Sequence, residues 1–198
     1  MVLMGQRGAN AAFMPDKFVF PGGAVDLADA EIPLARPLGG QCAARLSQDA
    51  PGPNALAAAA IRELWEETGL MLGRAGDWPD PPADWARFAG HGIVPDASGL
   101  RYIFRAITPP GRPRRFDARF FLADAGHVMG DLDDFRTACD ELAHLHWVPF
   151  AQARKLNLPF ITEVVLAEAH ALVTGEEMPP SVPFFDNSTG VSCFRRIA

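Results

Sequence analysis

The chain has no apolar run long enough to cross a membrane. Its longer ones, such as Ala55 to Ile61, fall far short of the roughly 20 residues a spanning helix needs, which excludes a transmembrane protein. The start, Met1 to Arg7, has no basic leader followed by an extended apolar stretch, so no secretory signal is expected. Cysteine is scarce: Cys42, Cys139 and Cys193 are odd in number and lack C-x-x-C spacing. They argue against a disulfide framework and a zinc site, and they fit a reducing, cytoplasmic setting. No excess of positive charge exists either; the net charge of −6 disfavours duplex nucleic acid as the main partner. Internal repeats are absent, and the final Arg-Arg-Ile-Ala is not a peroxisomal Ser-Lys-Leu address.

What is present suits one α/β domain over residues 1–198. Hydrophobic residues make up 48%, but 32 of them are alanines, so few large side chains are available to fill a core. Gly and Pro together number 36, which predicts long irregular loops without low complexity. Phe18 to Phe20, ended by Pro-Gly-Gly, reads as a strand entering a loop. Residues 30–53 read as an inserted loop with a helical piece near Gln41 to Ser47, and 74–99 as a second loop anchored by Trp85 and Phe88. A helix is expected from the N-cap Asn54 through an alanine run to Gly69 or Gly73. Strands are expected at 100–107, 116–123 and 141–148, a short helix at 149–153, an amphipathic helix at 162–174, and a peripheral segment at 179–198.

The charges are not spread evenly. Sixteen of the 18 cations are arginine, and Arg101 to Arg119 holds six of them with Asp117 as the lone acid. A small polyanion suits such a strip, because the guanidinium fork matches phosphate. Near the end of the alanine-rich helix, Glu63, Glu66 and Glu67 stand at i, i+3 and i+4. Their carboxylates share one face, repel one another and oppose the helix dipole. A hard divalent cation, Mg²⁺ or Mn²⁺, would relieve that repulsion and retain water for substrate phosphates, while Arg62 can orient Glu66 from four residues before it. The alternative is a solvated acidic face.

Phe20-Pro-Gly-Gly-Ala-Val-Asp26, followed by Arg62-Glu-Leu-Trp-Glu-Glu-Thr-Gly-Leu70, resembles the Nudix box of the Nudix hydrolase family. The second half matches at every fixed position. The first half is split: 39 positions separate Gly23 from Arg62 where the family has 14, an excess of 25. Asp29 or Asn54 stands where the family has its first glutamate. The resemblance implies an α/β/α sandwich around a mixed sheet and metal-dependent cleavage of a diphosphate in a nucleoside-diphosphate-linked small molecule. It implies Glu63, Glu66 and Glu67 as metal ligands, with the Gly22 carbonyl as a further one, and the same glutamates or Glu141 as general base.

In Arg114-Arg-Phe-Asp-Ala-Arg-Phe-Phe121, alternation puts Arg115, Asp117 and Arg119 on one strand face and Phe116, Ala118 and Phe120 on the other. Arg115 and Arg119 are candidate phosphate clamps and Phe116 a candidate base-stacking residue; the alternative is an Arg–Asp ladder on a solvent face. This string and the insertion look like a subgroup of the family that includes a coenzyme A diphosphatase, which makes coenzyme A or acyl-coenzyme A the first substrate expectation. His144 and His146 alternate on the strand candidate and share a face, with little promise as a metal pair. The chain starts inside the segment that usually follows the family's first strand, so dimerisation or another covering element is expected at the exposed edge. The competing expectation is a Nudix-fold module that binds such a ligand without cleaving it.

Overall fold

A computed structural model describes residues 1–9, 11, 14–47, 49–175 and 180–198. In chain order the elements are β1 (Val2–Arg7), β2 (Phe18–Val19), α1 (Gly40–Leu46), α2 (Pro53–Thr68), β3 (Met71–Ala75), α3 (Ala86–Ala89), β4 (Ile93–Pro95) and β5 (Arg101–Ile107). There follow β6 (Asp117–Leu122), β7 (Val128–Met129), β8 (Leu142–Val148), α4 (Phe150–Ala153), α5 (Phe160–Thr174), β9 (Val182–Asp186) and β10 (Cys193–Ile197). A 3-10 turn at Leu27–Glu31 precedes α1, and two more begin at Ala83 and Ala125.

The chain divides into two compact units, each assembled from separate stretches: Met1–Phe20, Tyr102–Leu122 and Trp147–Ala198 form the first, Pro21–Arg101 and Ala123–His146 the second. The first unit carries a four-stranded sheet of order β10-β9-β5-β6, in which β5 runs parallel to β9 and β9 antiparallel to β10. One core cluster packs Ile103, Phe104 and Ala106 of β5 against Val165 and Ala169 of α5. A second cluster joins Met4, Val148 and Ala153 to Leu166 of the same helix. α5 therefore buries two faces.

Within the second unit, α2 starts two residues earlier than the sequence suggests. Gly52 is its N-cap and Pro53 its first residue, because proline needs no N–H there and its φ is already helical; Asn54 lies exposed in the first turn. The helix ends at Gly69, whose φ of +77° is left-handed and whose place a Cβ would fill against the Thr137 hydroxyl. The segment at 74–99 is more ordered than a loop. Gly73 of β3 lies so close to β4 that a Cβ would overlap Ile93, and Trp85 and Phe88 are buried, with Phe88 edge-on to Trp65 at 5.7 Å and to Trp85 at 5.2 Å.

The insertion is pinned rather than loose. Ala35 N–H donates to Pro95 O at 2.8 Å, Ala97 N–H to Arg36 O at 3.0 Å, and the Arg36 guanidinium holds Asp96 at 2.6 Å. This strip runs along β4, and α1 packs on α2. The C-terminal segment is not peripheral as expected: Val182 and Phe184 are buried and β9 pairs with β5, because Val-Pro-Phe-Phe supplies apolar side chains that a short core of few large residues needs.

Phe88 fills the centre of the aromatic cluster with no exposed surface. Phe88→Ala is expected to lower unfolding stability by about 3–5 kcal/mol. Urea unfolding checks this, and a loss below about 1 kcal/mol would show that the cluster does not hold the unit together.

Candidate active site

Asp29, Glu63, Glu66, Glu67 and Glu141 all belong to the second unit. Arg62, buried on α2, is their hub. Its Nε donates to Asp29 Oδ1 at 3.0 Å, and its Nη2 to Asp29 Oδ2 at 3.1 Å and to Ala24 O at 2.9 Å. Its Nη1 reaches Glu63 Oε1 at 2.9 Å and Glu66 Oε2 at 3.2 Å. Asp26 adds a looser contact at 3.6 Å. Asp29 is 1% exposed, and the 3-10 turn that carries it is closed by a reciprocal capping box with Asp26. Of the two residues that stand for the missing glutamate, Asp29 touches Arg62, whereas Asn54 is exposed on α2.

The glycine loop closes on the same helix. Gly22 N–H donates to Glu67 Oε2 at 2.7 Å, and Glu67 is buried. Gly22 has φ +153°, and a Cβ at Gly23 would overlap the Glu63 carboxylate, so the close approach of loop to helix requires glycine. From the other side, Cys139 N–H donates to Glu66 O at 2.8 Å, which brings the segment just before β8 to the helix. A cavity of about 250 Å³ lined by Trp65, Arg87, Thr137 and Cys139 borders Glu66.

Electrostatics follows from this crowding. Burial pushes the Glu63 carboxyl above its ordinary range; Arg62 opposes the shift, while the charges of Glu66 and Glu141 add to it. The Cys139 thiol is likewise raised, first by burial and then by Glu67, Glu141 and Glu66. Burial acts to lower Arg62, but its bonds to Asp29 and the charges of Glu63 and Glu66 outweigh this and hold it firmly cationic. Four carboxylates, Asp26, Asp29, Glu63 and Glu66, thus surround one guanidinium, Glu141 acts on Glu63, and Glu67 and Glu141 both act on Cys139. Hard oxygen donors with surplus negative charge fit a divalent cation of the Mg²⁺ type. Among the described residues, no three His, Cys, Asp or Glu groups already converge as a metal cage.

Arg115, Phe116 and Arg119 belong to the first unit. The Arg115 guanidinium is exposed and donates to Thr108 O at 3.1 Å and Ser188 O at 3.4 Å. Arg119 pairs with Asp117 at 3.0 Å, and Arg105 with the same carboxylate at 2.7 Å. Phe116 is 41% exposed, while Phe120 packs edge-on to Phe104 at 6.2 Å. Arg115 and Phe116 lie before β6, and within the strand Asp117 bridges Arg105 and Arg119. His144 departs from strand geometry with φ +52°, and its carbonyl lies 2.6 Å from His146 Nδ1. Asp26 and Ala24 were not legible as Arg62 partners, since the irregular loop leading into the 3-10 turn has no periodicity to read.

No protein-family model matches the chain. It is 30% identical over 160 residues to nudix hydrolase 7 of Caenorhabditis elegans, which covers 74% of this chain and 46% of that protein. It is 30% identical over 174 residues to the acyl-coenzyme A diphosphatase NUDT19 of Gallus gallus, covering 59% of this chain and 46% of that one. A crystal structure of a Nudix hydrolase from Alicyclobacillus acidocaldarius superposes with a TM-score of 0.65 at 28% identity, over 90% of this chain and 89% of that one. In sequence and in fold, the chain is similar to Nudix hydrolases. It spans just under half the length of the two curated relatives. The mixed α/β fold expected from the split Nudix box is the one observed.

A carboxyl whose folded pKa lies above its unfolded value of 4.5 binds its proton more tightly when folded. Its contribution favours folding below that value and is lost as pH rises through the folded one. Glu63→Gln is therefore expected to raise the thermal midpoint at pH 7 in the presence of a chelator, with the gain shrinking toward pH 4. Melting curves at both pH values check it; an unchanged or lower midpoint at pH 7 contradicts the burial argument.

Proposed function

We propose that the chain hydrolyses a diphosphate linkage in a nucleoside-diphosphate-linked small molecule with the help of Mg²⁺ or Mn²⁺, coenzyme A or an acyl-coenzyme A being the first choice. The observation that carries this reading is that Asp29, from before the 25-residue excess, meets Arg62, from after it, so the two halves of the box close into one loop–helix site. The coenzyme A choice draws on the name of the Gallus gallus relative and on the Arg115 string.

Glu63, Glu66 and Glu67 would hold the metal, with the Gly22 carbonyl as a further ligand. Bound there, the ion would neutralise the diphosphate and lower the pKa of a coordinated water. Arg62 keeps Glu63 and Glu66 aligned, and the Gly22 N–H keeps Glu67 in place. Glu141, close enough to act on Glu63, takes the proton as water attacks phosphorus; the anhydride P–O bond breaks and the departing phosphate keeps its electron pair. Arg115 and Arg119 remain the candidates for phosphate binding and Phe116 the candidate for base stacking. A cytoplasmic location fits three cysteines of which none forms a disulfide among the described residues, and no described helix is long and apolar enough to cross a membrane.

The second reading, a module that binds such a ligand uncut, draws on Arg62 engaging both Glu63 and Glu66. A panel of coenzyme A, nucleotide sugars and dinucleotides incubated with Mg²⁺ or Mn²⁺ separates the two. Cleavage is expected for the wild type and a loss of about 100-fold or more for Glu67→Gln; binding without cleavage favours the module. Arg115→Ala is expected to raise KM chiefly for substrates with an extra phosphate, with kcat little changed, and an unchanged KM profile across the panel rejects the clamp.

A further inference from the structure

The outer strand of the four-stranded sheet is β10, and no strand lies beyond it among the described residues. Cys193 to Arg196 are all exposed, and no strand among the described residues covers this edge. Beside it runs an aromatic strip. Phe194 is 60% and Phe160 68% exposed, and Phe185 lies between them at 5.9 and 6.2 Å. Phe194 is also anchored inward, 6.2 Å from the buried Phe104. An open edge joined to exposed aromatics is costly to leave in water and invites a further strand.

The register against β9 says which groups of β10 are available. Phe194 pairs with Phe185 and Arg196 with Pro183. Pro183 has no N–H, so its pairing is not of the hydrogen-bonded kind. Bonded and non-bonded pairs alternate along an antiparallel ladder, which makes Phe194–Phe185 non-bonded as well. The N–H and C=O of Phe194 and Arg196 therefore point away from β9, toward the open side.

We propose that this edge pairs antiparallel with the same strand of a second copy of the chain, with the two-fold axis at Phe194. In that register Phe194 faces Phe194 of the partner subunit, and the two exchange the outward N–H···O=C bonds. Cys193 lies opposite the partner's Arg195, Ser192 opposite the partner's Arg196, and Val191 opposite the partner's Ile197. No two like charges are opposed, and each Arg196 lies diagonal to the partner's Phe194 on the same face, where a guanidinium can rest on the ring. Moving the axis to Arg195 would oppose two arginines. An acidic peptide is a poorer occupant, because Arg195 already holds Asp186 at 3.3 Å and Arg196 donates to Ser181 at 3.1 Å. The segment Val191 to Ile197 is thus complementary to itself, as an isologous contact requires.

So short an edge gives a weak dimer, with a Kd on the order of 10 µM. Sedimentation velocity on the full chain from about 1 to about 200 µM, spanning that constant, should show monomer passing to dimer, equally with and without reductant. Phe194→Glu places two anions at the axis, and Arg196→Pro removes an outward N–H that β9 does not use. Each should weaken dimerisation at least about tenfold while leaving the far-UV spectrum unchanged. A chain that stays monomeric throughout, a dimer abolished by reductant, or a dimer that survives both substitutions overturns the proposal. Because these residues lie outside the carboxylate cluster, diphosphate cleavage can fail while the dimer stands, and the reverse.

Discussion

The ion pair between Arg62 and Asp29 is the contact on which the site depends. Both side chains are buried, and a buried charge is tolerable only when paired and hydrogen-bonded. Arg62 meets this condition through two bonds to Asp29, one to the Ala24 carbonyl and one each to Glu63 and Glu66. Removing Asp29 would leave a buried guanidinium facing carboxylates that are also needed elsewhere. Breaking one partner of such a pair generally costs about 3–5 kcal/mol, far more than the intact pair contributes relative to an apolar replacement. The arrangement thus enforces geometry more than it adds stability: it requires the loop before the insertion to return to the helix after it.

That requirement explains how the motif tolerates 25 extra residues. The entropic cost of a longer loop grows only logarithmically, so length alone is a small penalty. The extra chain recovers part of that penalty by docking along β4 through Ala35, Arg36 and Ala97 and by packing α1 on α2. What the insertion must not do is displace Gly22 and Gly23, since any Cβ at Gly23 would push the Glu63 carboxylate aside. The insertion accordingly begins after Asp29, beyond every loop contact that α2 receives from Gly22 to Asp29.

Much of this was legible in the residues. The alanine-rich helix, the strands around 101–107, 117–122 and 142–148, and the helices at 150–153 and 160–174 carry strong local signals of period and capping, and they appear where expected. β3, β4 and β9 were not legible. Met-Leu-Gly-Arg-Ala and Ile-Val-Pro are too short to show alternation, and Val-Pro-Phe-Phe-Asp contains a proline that argues against a strand until its partner is known. The start of α2 was misplaced because Asn54 is a good cap in isolation, while Gly52-Pro53 forms the actual one.

The sequence by itself determined the chemistry of the site. Three carboxylates at i, i+3 and i+4 must share a helix face, because helical geometry is local and depends on spacing alone. Tertiary structure decided which residues complete it. Asp29 and Asn54 were equivalent by position, and only the return of the chain places Asp29 against Arg62 and leaves Asn54 in solvent. Likewise, whether 179–198 lies outside or inside the fold was set by β9 finding β5 some 80 residues earlier in the chain. Contacts between distant segments depend on the shape of everything in between, and no local pattern encodes that shape.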